Sequence, residues 1–177
     1  MARQTHLARR FFGALWPGKP DPTDTEWVAT VLNAQELTVW MRMPNHDRRH
    51  SIRVARDVEA ELANTEYAGD ARWEEAALLH DVGKLDSGLG VFGRVLATLA
   101  GAAAGHDMAE PWSQKRGITR KFGLYLRHPE LGASRIRMCD GSREAALWTE
   151  AHQDPDRWAS TGLPDVVIQA LAAADDD

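Results

Sequence analysis

The chain has 177 residues, a formal net charge of −5, one cysteine and seven histidines. That length suits a single domain burying roughly two thirds of its unfolded surface, so a core forms without staples. Cys139 alone excludes an internal disulfide framework and a cysteine-rich zinc site, the acidic balance excludes coating nucleic acid by charge, and a reducing cytoplasm is the expected compartment.

Residues 1–20 differ in character from the rest of the chain. Arg3, His6, Arg9 and Arg10 precede Phe11-Phe12-Gly13-Ala14-Leu15-Trp16, a short basic amphipathic segment. Its apolar part is too short to span a bilayer, and no cleavage site follows a proper apolar core. A docking or frayed arm is expected, with weak contact to an anionic membrane surface as the other reading. Pro17, Gly18, Pro20 and Pro22 then interrupt any helix, and one domain is expected over residues 21–177.

From Asp24 onward the hydrophobic period is helical, with no convincing alternating strand, and this predicts an all-α fold. Asp24 is expected to cap a helix reaching about Leu32. Asn33 with Glu36 gives a capping-box start for a second, with Leu37, Trp40 and Met41 on one face. Pro44-Asn45 opens a third, over about residues 46–64, on which His50, Val54, Val58 and Leu62 recur every fourth residue. Arg48, Arg49, Arg53 and Arg56 flank that stripe as a solvated face or a wall for an anionic substrate, with Arg53 the first choice for the latter.

Asp70 is expected to cap a helix with Trp73, Ala76, Ala77 and His80 at i, i+3, i+4 and i+7, which turns the imidazole inward. The adjoining Asp81 is costly to bury unless a basic side chain or a metal ion pairs with it, Gly83 suits the helix end, and Lys84 just beyond can sit near whatever Asp81 holds. Residues 91–104 form a fourteen-residue apolar run with Arg94 as its only charge, too short to cross a bilayer. A buried or lid-like helix is expected there, with a partner or membrane contact as the alternative. His106 falls in an expected loop and is read as non-ligating, and residues 113–120 as a connection into a helix ending near Arg127. His128-Pro129 marks a helix start. From Ser142, the positions of Ala145, Trp148, Thr149 and His152 repeat the inward stripe, which Gln153-Asp154-Pro155 ends. A last helix from Pro164 carries Ile168, Leu171, Ala172 and Asp175 on one face.

His50, His80, His128 and His152 with Asp81 and Asp175 thus supply six nitrogen or oxygen donors from five helices. One histidine on an apolar face is ordinarily a satisfied core residue; four, with two inward carboxylates, point to a metal centre. Such mixed donors suit Fe, Mn, Zn, Co or Ni, with Mg where carboxylate and water dominate.

Arg49-His50-Ser51, Leu78-Leu79-His80-Asp81-Val82-Gly83-Lys84, His128-Pro129-Glu130-Leu131-Gly132, His152 and Ala173-Ala174-Asp175 stand in an order that resembles the HD superfamily of metal-dependent phosphohydrolases. The likeness covers about residues 45–177, and a small bacterial branch is the nearest in character. The resemblance implies a compact all-α HD-domain bundle holding one or two divalent ions. His50, His80, Asp81 and Asp175 would hold the first, Asp81 would bridge, and His128 with His152 would complete the second. The extra histidines are similar to the two-metal branch that includes the HD-GYP phosphodiesterases. The chain departs from that branch in lacking Gly-Tyr-Pro and in carrying Gln153 where a second adjacent histidine is common.

The function implied is hydrolysis of a phosphate ester or phosphoanhydride, with a nucleotide or other phosphorylated small molecule as substrate and no sequence-specific nucleic-acid binding. Asp81, Lys84 and Arg53 would carry the chemistry, the latter two meeting the substrate phosphate, and Asp154 and Asp176 would orient ligands from behind. Two alternatives keep the same scaffold: a low-turnover nucleotide- or metal-binding sensor acting through the N-terminal arm or the apolar helix, and an HD-type oxygenase.

Overall fold

Side-chain caps set many of the helix starts in the computed structural model, which describes residues 18–176 apart from the side chain of His106. The N-terminal arm lies outside the described residues as far as residue 17, and so does the expectation for His106. The described residues form eleven α-helices and no strand. The first four are α1 (Pro22–Val31), α2 (Ala34–Trp40), α3 (Asn45–Leu62) and α4 (Ala71–Leu79), followed by a 3-10 turn, Val82–Asp86. Then come α5 (Val91–Ala104), α6 (Ala109–Ser113), α7 (Gly117–Leu126) and α8 (His128–Met138). The chain closes with α9 (Arg143–Ala151), α10 (Pro155–Trp158) and α11 (Asp165–Asp176).

Asp21 caps α1, accepting from the Thr23 N–H at 2.9 Å, with Pro22 in the first turn. The expected cap, Asp24, sits inside that turn instead. A proline just after the cap has no N–H to leave unsatisfied and a φ already suited to a helix, so the start moves forward to Asp21. The capping box of α2 is complete: Asn33 accepts from the Glu36 N–H and the Glu36 carboxylate from the Asn33 N–H, both at 3.0 Å. Trp40 is buried as expected, donating its indole N–H to Ser51 Oγ at 3.0 Å. Met41 is exposed, because α2 ends at Trp40 and the helical period no longer applies; Met43 takes the buried place.

α3, α4, α8, α9 and α11 surround the site. α3 packs against α4 and α11, α9 against α4 and α8, and α8 against the 3-10 turn. Val54, Val58 and Leu62 of α3, Trp73, Ala76 and Ala77 of α4, and Ile168 and Leu171 of α11 are buried, as their spacing predicts. Gly83 does not end α4, which stops at Leu79; its role is steric. A Cβ there would lie 2.0 Å from the His128 carbonyl oxygen and 2.6 Å from Gly132 N, so the turn and α8 touch backbone to backbone.

α5 has the expected bounds but is not buried. Only Ala97 and Gly101 are inside, while Phe92, Val95, Leu96 and Leu99 are exposed. It packs on α7 through its small residues, Leu126 closing onto Gly101, and that turns its larger side chains outward. Arg94 ties it to α3 through a two-pronged ion pair with Asp47 at 2.6 and 2.7 Å. No single helix among the described residues is long and apolar enough to cross a membrane.

Candidate metal centre

A helix leaves its last carbonyls without intrahelical donors. Three histidines use such groups. His80 follows α4 with Nδ1 2.7 Å from the Ala77 carbonyl, His152 follows α9 with Nδ1 2.8 Å from that of Thr149, and His128 follows α7 with Nδ1 2.7 Å from that of Tyr125. In each the Nδ1–H donates, so Nε2 is the nitrogen turned into the protein. Tyr125 stacks on His128 with ring centroids 5.4 Å apart, which fixes that ring further.

The inward nitrogens converge on two carboxylates. His80 Nε2 lies 3.5 Å from Asp81 Oδ2 and 3.5 Å from Asp175 Oδ1. His128 Nε2 and His152 Nε2 lie 3.5 and 3.8 Å from Asp81 Oδ1, and His50 Nε2 lies 3.0 Å from Asp175 Oδ1. The donors form two groups, His50 with His80 and Asp175, and Asp81 with His128 and His152; the ligand atoms within each lie within 4.8 Å of one another. Asp81 turns Oδ2 to His80 and Oδ1 to His128 and His152.

The Nε2 atoms of His80, His128 and His152 are buried without a hydrogen-bond partner. An unsatisfied buried polar atom costs about 1–3 kcal/mol, so three in one cluster call for a common occupant. A divalent cation would partner all three Nε2 atoms at once, His80 giving up its proton to it, and imidazole with carboxylate is a suitable donor set for one. The expected ligands therefore meet, and they fit one or two divalent ions.

His50 stands apart. Its Nδ1 lies 3.1 Å from an Arg53 guanidinium nitrogen, which can only donate, so Nδ1 accepts and Nε2–H donates to Asp175. Ligation through Nε2 requires the proton to move to Nδ1 and the Arg53 contact to break. Lys84 likewise rests its ammonium on Asp81 Oδ2. Both basic residues expected at a substrate phosphate thus sit on residues of the expected ligand set. The other flanking arginines are occupied elsewhere: Arg56 lies 3.5 Å over the Trp27 ring, Arg48 5.4 Å over Trp40, and Arg49 donates to the Gly18 carbonyl.

Burial would neutralise every group here, and the neighbours decide which escape. Burial pulls the His80 imidazole down, but Asp81 and Asp175 together lift it to about 10. Burial pushes both carboxylates up, yet Lys84 and His80 hold Asp81 well below the usual range, and His80 and His50 do the same for Asp175. Burial first, then the neighbouring His80 and His128, drives His152 down to about 3, and burial also lowers His128 and His50. The two carboxylates thus already hold two cations, the His80 imidazolium and the Lys84 ammonium, in the place where a metal ion would supply the positive charge.

Helical spacing alone does not show the rim. Asp47 is buried at the start of α3 with the Arg94 pair, and His46 Nε2 lies 3.3 Å from Asp47 Oδ1. The signals for it are a second His-Asp pair four residues before His50 and the lone charge in an apolar helix. Asp154 is not behind a ligand: it is exposed and caps α10 through the Asp156 N–H at 3.2 Å. Asp176 is exposed.

No protein-family model, curated protein or solved structure matches the chain.

Proposed function

We propose that this chain is a metal-dependent phosphohydrolase of the HD type, acting on a phosphate ester or phosphoanhydride, with a nucleotide as the substrate class and the cytoplasm as its compartment. The observation that carries the reading is the trio of buried, unpartnered Nε2 atoms facing Asp81 and Asp175. It gains support from the order of the sequence motifs, which draw His50 and Asp175 together across 125 positions. One or two divalent ions held by His50, His80, Asp81, His128, His152 and Asp175 would lower the pKa of a water and neutralise phosphoryl charge.

The chain's own residues do the rest. The Nδ1–H bonds to Ala77, Tyr125 and Thr149 hold three imidazoles with Nε2 turned to the carboxylates, and His80 would give up its Nε2 proton on ligating. Lys84, 16% exposed, is held beside Asp81, a place from which its ammonium would meet a substrate phosphoryl oxygen. Arg53, now on His50 Nδ1, would turn to a phosphoryl oxygen if His50 took the tautomer that ligates through Nε2. Arg94 remains neutralised by Asp47 and keeps the rim in place.

A second reading has an observation in its favour: each donor group contains two histidines and one carboxylate, a combination that also holds non-haem iron for oxygen chemistry. The test is phosphate release from nucleoside mono-, di- and triphosphates and cyclic dinucleotides by protein loaded with Mn, Fe, Co or Ni. Hydrolysis that disappears in Asp81→Asn supports the proposal. No hydrolysis with oxygen uptake by iron-loaded protein supports the second reading, and tight nucleotide binding without turnover supports a sensor.

A further inference from the structure

Charge is unevenly distributed along this acidic chain. Residues 88–127 carry Arg94, Lys115, Arg116, Arg120, Lys121 and Arg127 against Asp107 and Glu110 alone. Residues 1–17 carry three arginines and no acid, whereas the remainder has 12 basic and 24 acidic residues. The positive segment is also where apolar surface is exposed. Val95, Leu96 and Leu99 project from α5 at 45%, 57% and 62% exposure, and Ile118 from the adjoining α7 at 58%. Among the described residues, the other large apolar side chains this exposed, apart from Phe92, are the scattered Met41, Met138 and Val166.

Val95, Leu96 and Leu99 lie at i, i+1 and i+4, one face of a helix that packs chiefly on α7. Lys115, Arg116, Arg120 and Lys121 are exposed just before and along α7, the helix on which α5 packs, with no ion-pair partner among the described residues. We propose that the outer face of α5, with the basic residues of α7, is a docking surface for anionic lipid.

Electrostatics selects that occupant. A second copy docked through the same face would set it against its own like charge. The N-terminal arm would do the same, since its only formal charges are positive; an apolar, anionic surface suits both elements at once. A basic-flanked apolar helix lying in the plane of the headgroups is a known way to meet such a surface without spanning it. Arg94, on the same helix, holds Asp47 at the rim of the metal cluster, so the docked face adjoins the site without being part of it. This proposal does not depend on the reaction catalysed there.

The experiment is co-sedimentation of the full chain with vesicles of phosphatidylcholine alone and of phosphatidylcholine with phosphatidylglycerol in equal parts. Binding is expected to the anionic vesicles only, weakening as salt rises. Leu96→Glu with Leu99→Glu should abolish it, with circular dichroism showing the fold retained, as their exposure allows. Each of Lys115→Ser and Lys121→Ser should weaken binding about fivefold, the equivalent of roughly 1 kcal/mol per basic side chain near such a surface. Absence of binding to anionic vesicles, binding unchanged in the double glutamate variant, or a parent dimer dispersed by those glutamates would each overturn the proposal. The last would assign the face to a second copy.

Discussion

Gly83 has no room for a methyl group, because the His128 carbonyl and the Gly132 amide occupy the space a Cβ would take. Gly83→Ala should cost about 2–3 kcal/mol by forcing the 3-10 turn from α8, and should part Asp81 from His128; thermal melts and metal affinity should fall together. The inward histidines were legible because each continues an apolar stripe at helical spacing. The need for Gly83 was not, since its neighbour lies 45 positions away and belongs to tertiary packing. Nor did spacing show that Arg53 and Lys84 rest on ligands. Lys84→Met removes the charge beside buried Asp81, so the metal-free protein should lose roughly 2 kcal/mol or more. A divalent ion replaces that charge. The rise in Tm on adding Mn should therefore be larger in Lys84→Met than in the parent; an equal rise would show that Lys84 does not compensate Asp81.

Among the elements, α2 and α4 meet through two buried carboxyls. Glu36 closes the capping box on Asn33, Glu75 accepts the Ser142 N–H at 2.7 Å, and a Cβ on Gly141 would touch both. Burial first, then the hydrogen bond from Glu36 to Glu75, raises the Glu36 carboxyl to about 8. The folded chain thus keeps a proton that the unfolded chain releases near its ordinary value of 4.5. The stabilisation is complete below that value and is lost as pH rises through about 8. Urea titrations between about pH 5 and pH 8 should show a fall on the order of 2 kcal/mol, and Glu36→Gln, whose amide can still donate to Glu75, should flatten it. An unchanged slope in that variant would locate the titrating group elsewhere. The capping box was visible in four residues of sequence. The partner of Glu36 was not, and neither was the outward face of α5, whose bounds follow from composition but whose neighbours follow from the packing of α7.

At the scale of the molecule, ligands from α3, the ends of α4 and α9, the start of α8 and the last turn of α11 meet at one point. An ion bound there ties the chain together from residue 50 to residue 175, and it binds the folded state alone. Loading to a hundred times Kd should add about 2.7 kcal/mol of stability, so chelation should lower Tm and make unfolding less cooperative. The all-α class and the cluster's membership were readable from period and motif order, and the resemblance already implied two groups about Asp81; that Arg53 and Lys84 rest on His50 and Asp81 needed the folded geometry. The most direct test of the account is metal content per chain by elemental analysis, on protein purified without chelator beside Asp81→Asn and His152→Ala. The account predicts close to two equivalents in the parent, about one in His152→Ala and little in Asp81→Asn. No retained ion in the parent, even after loading with Mn, Fe, Ni or Co, would contradict it.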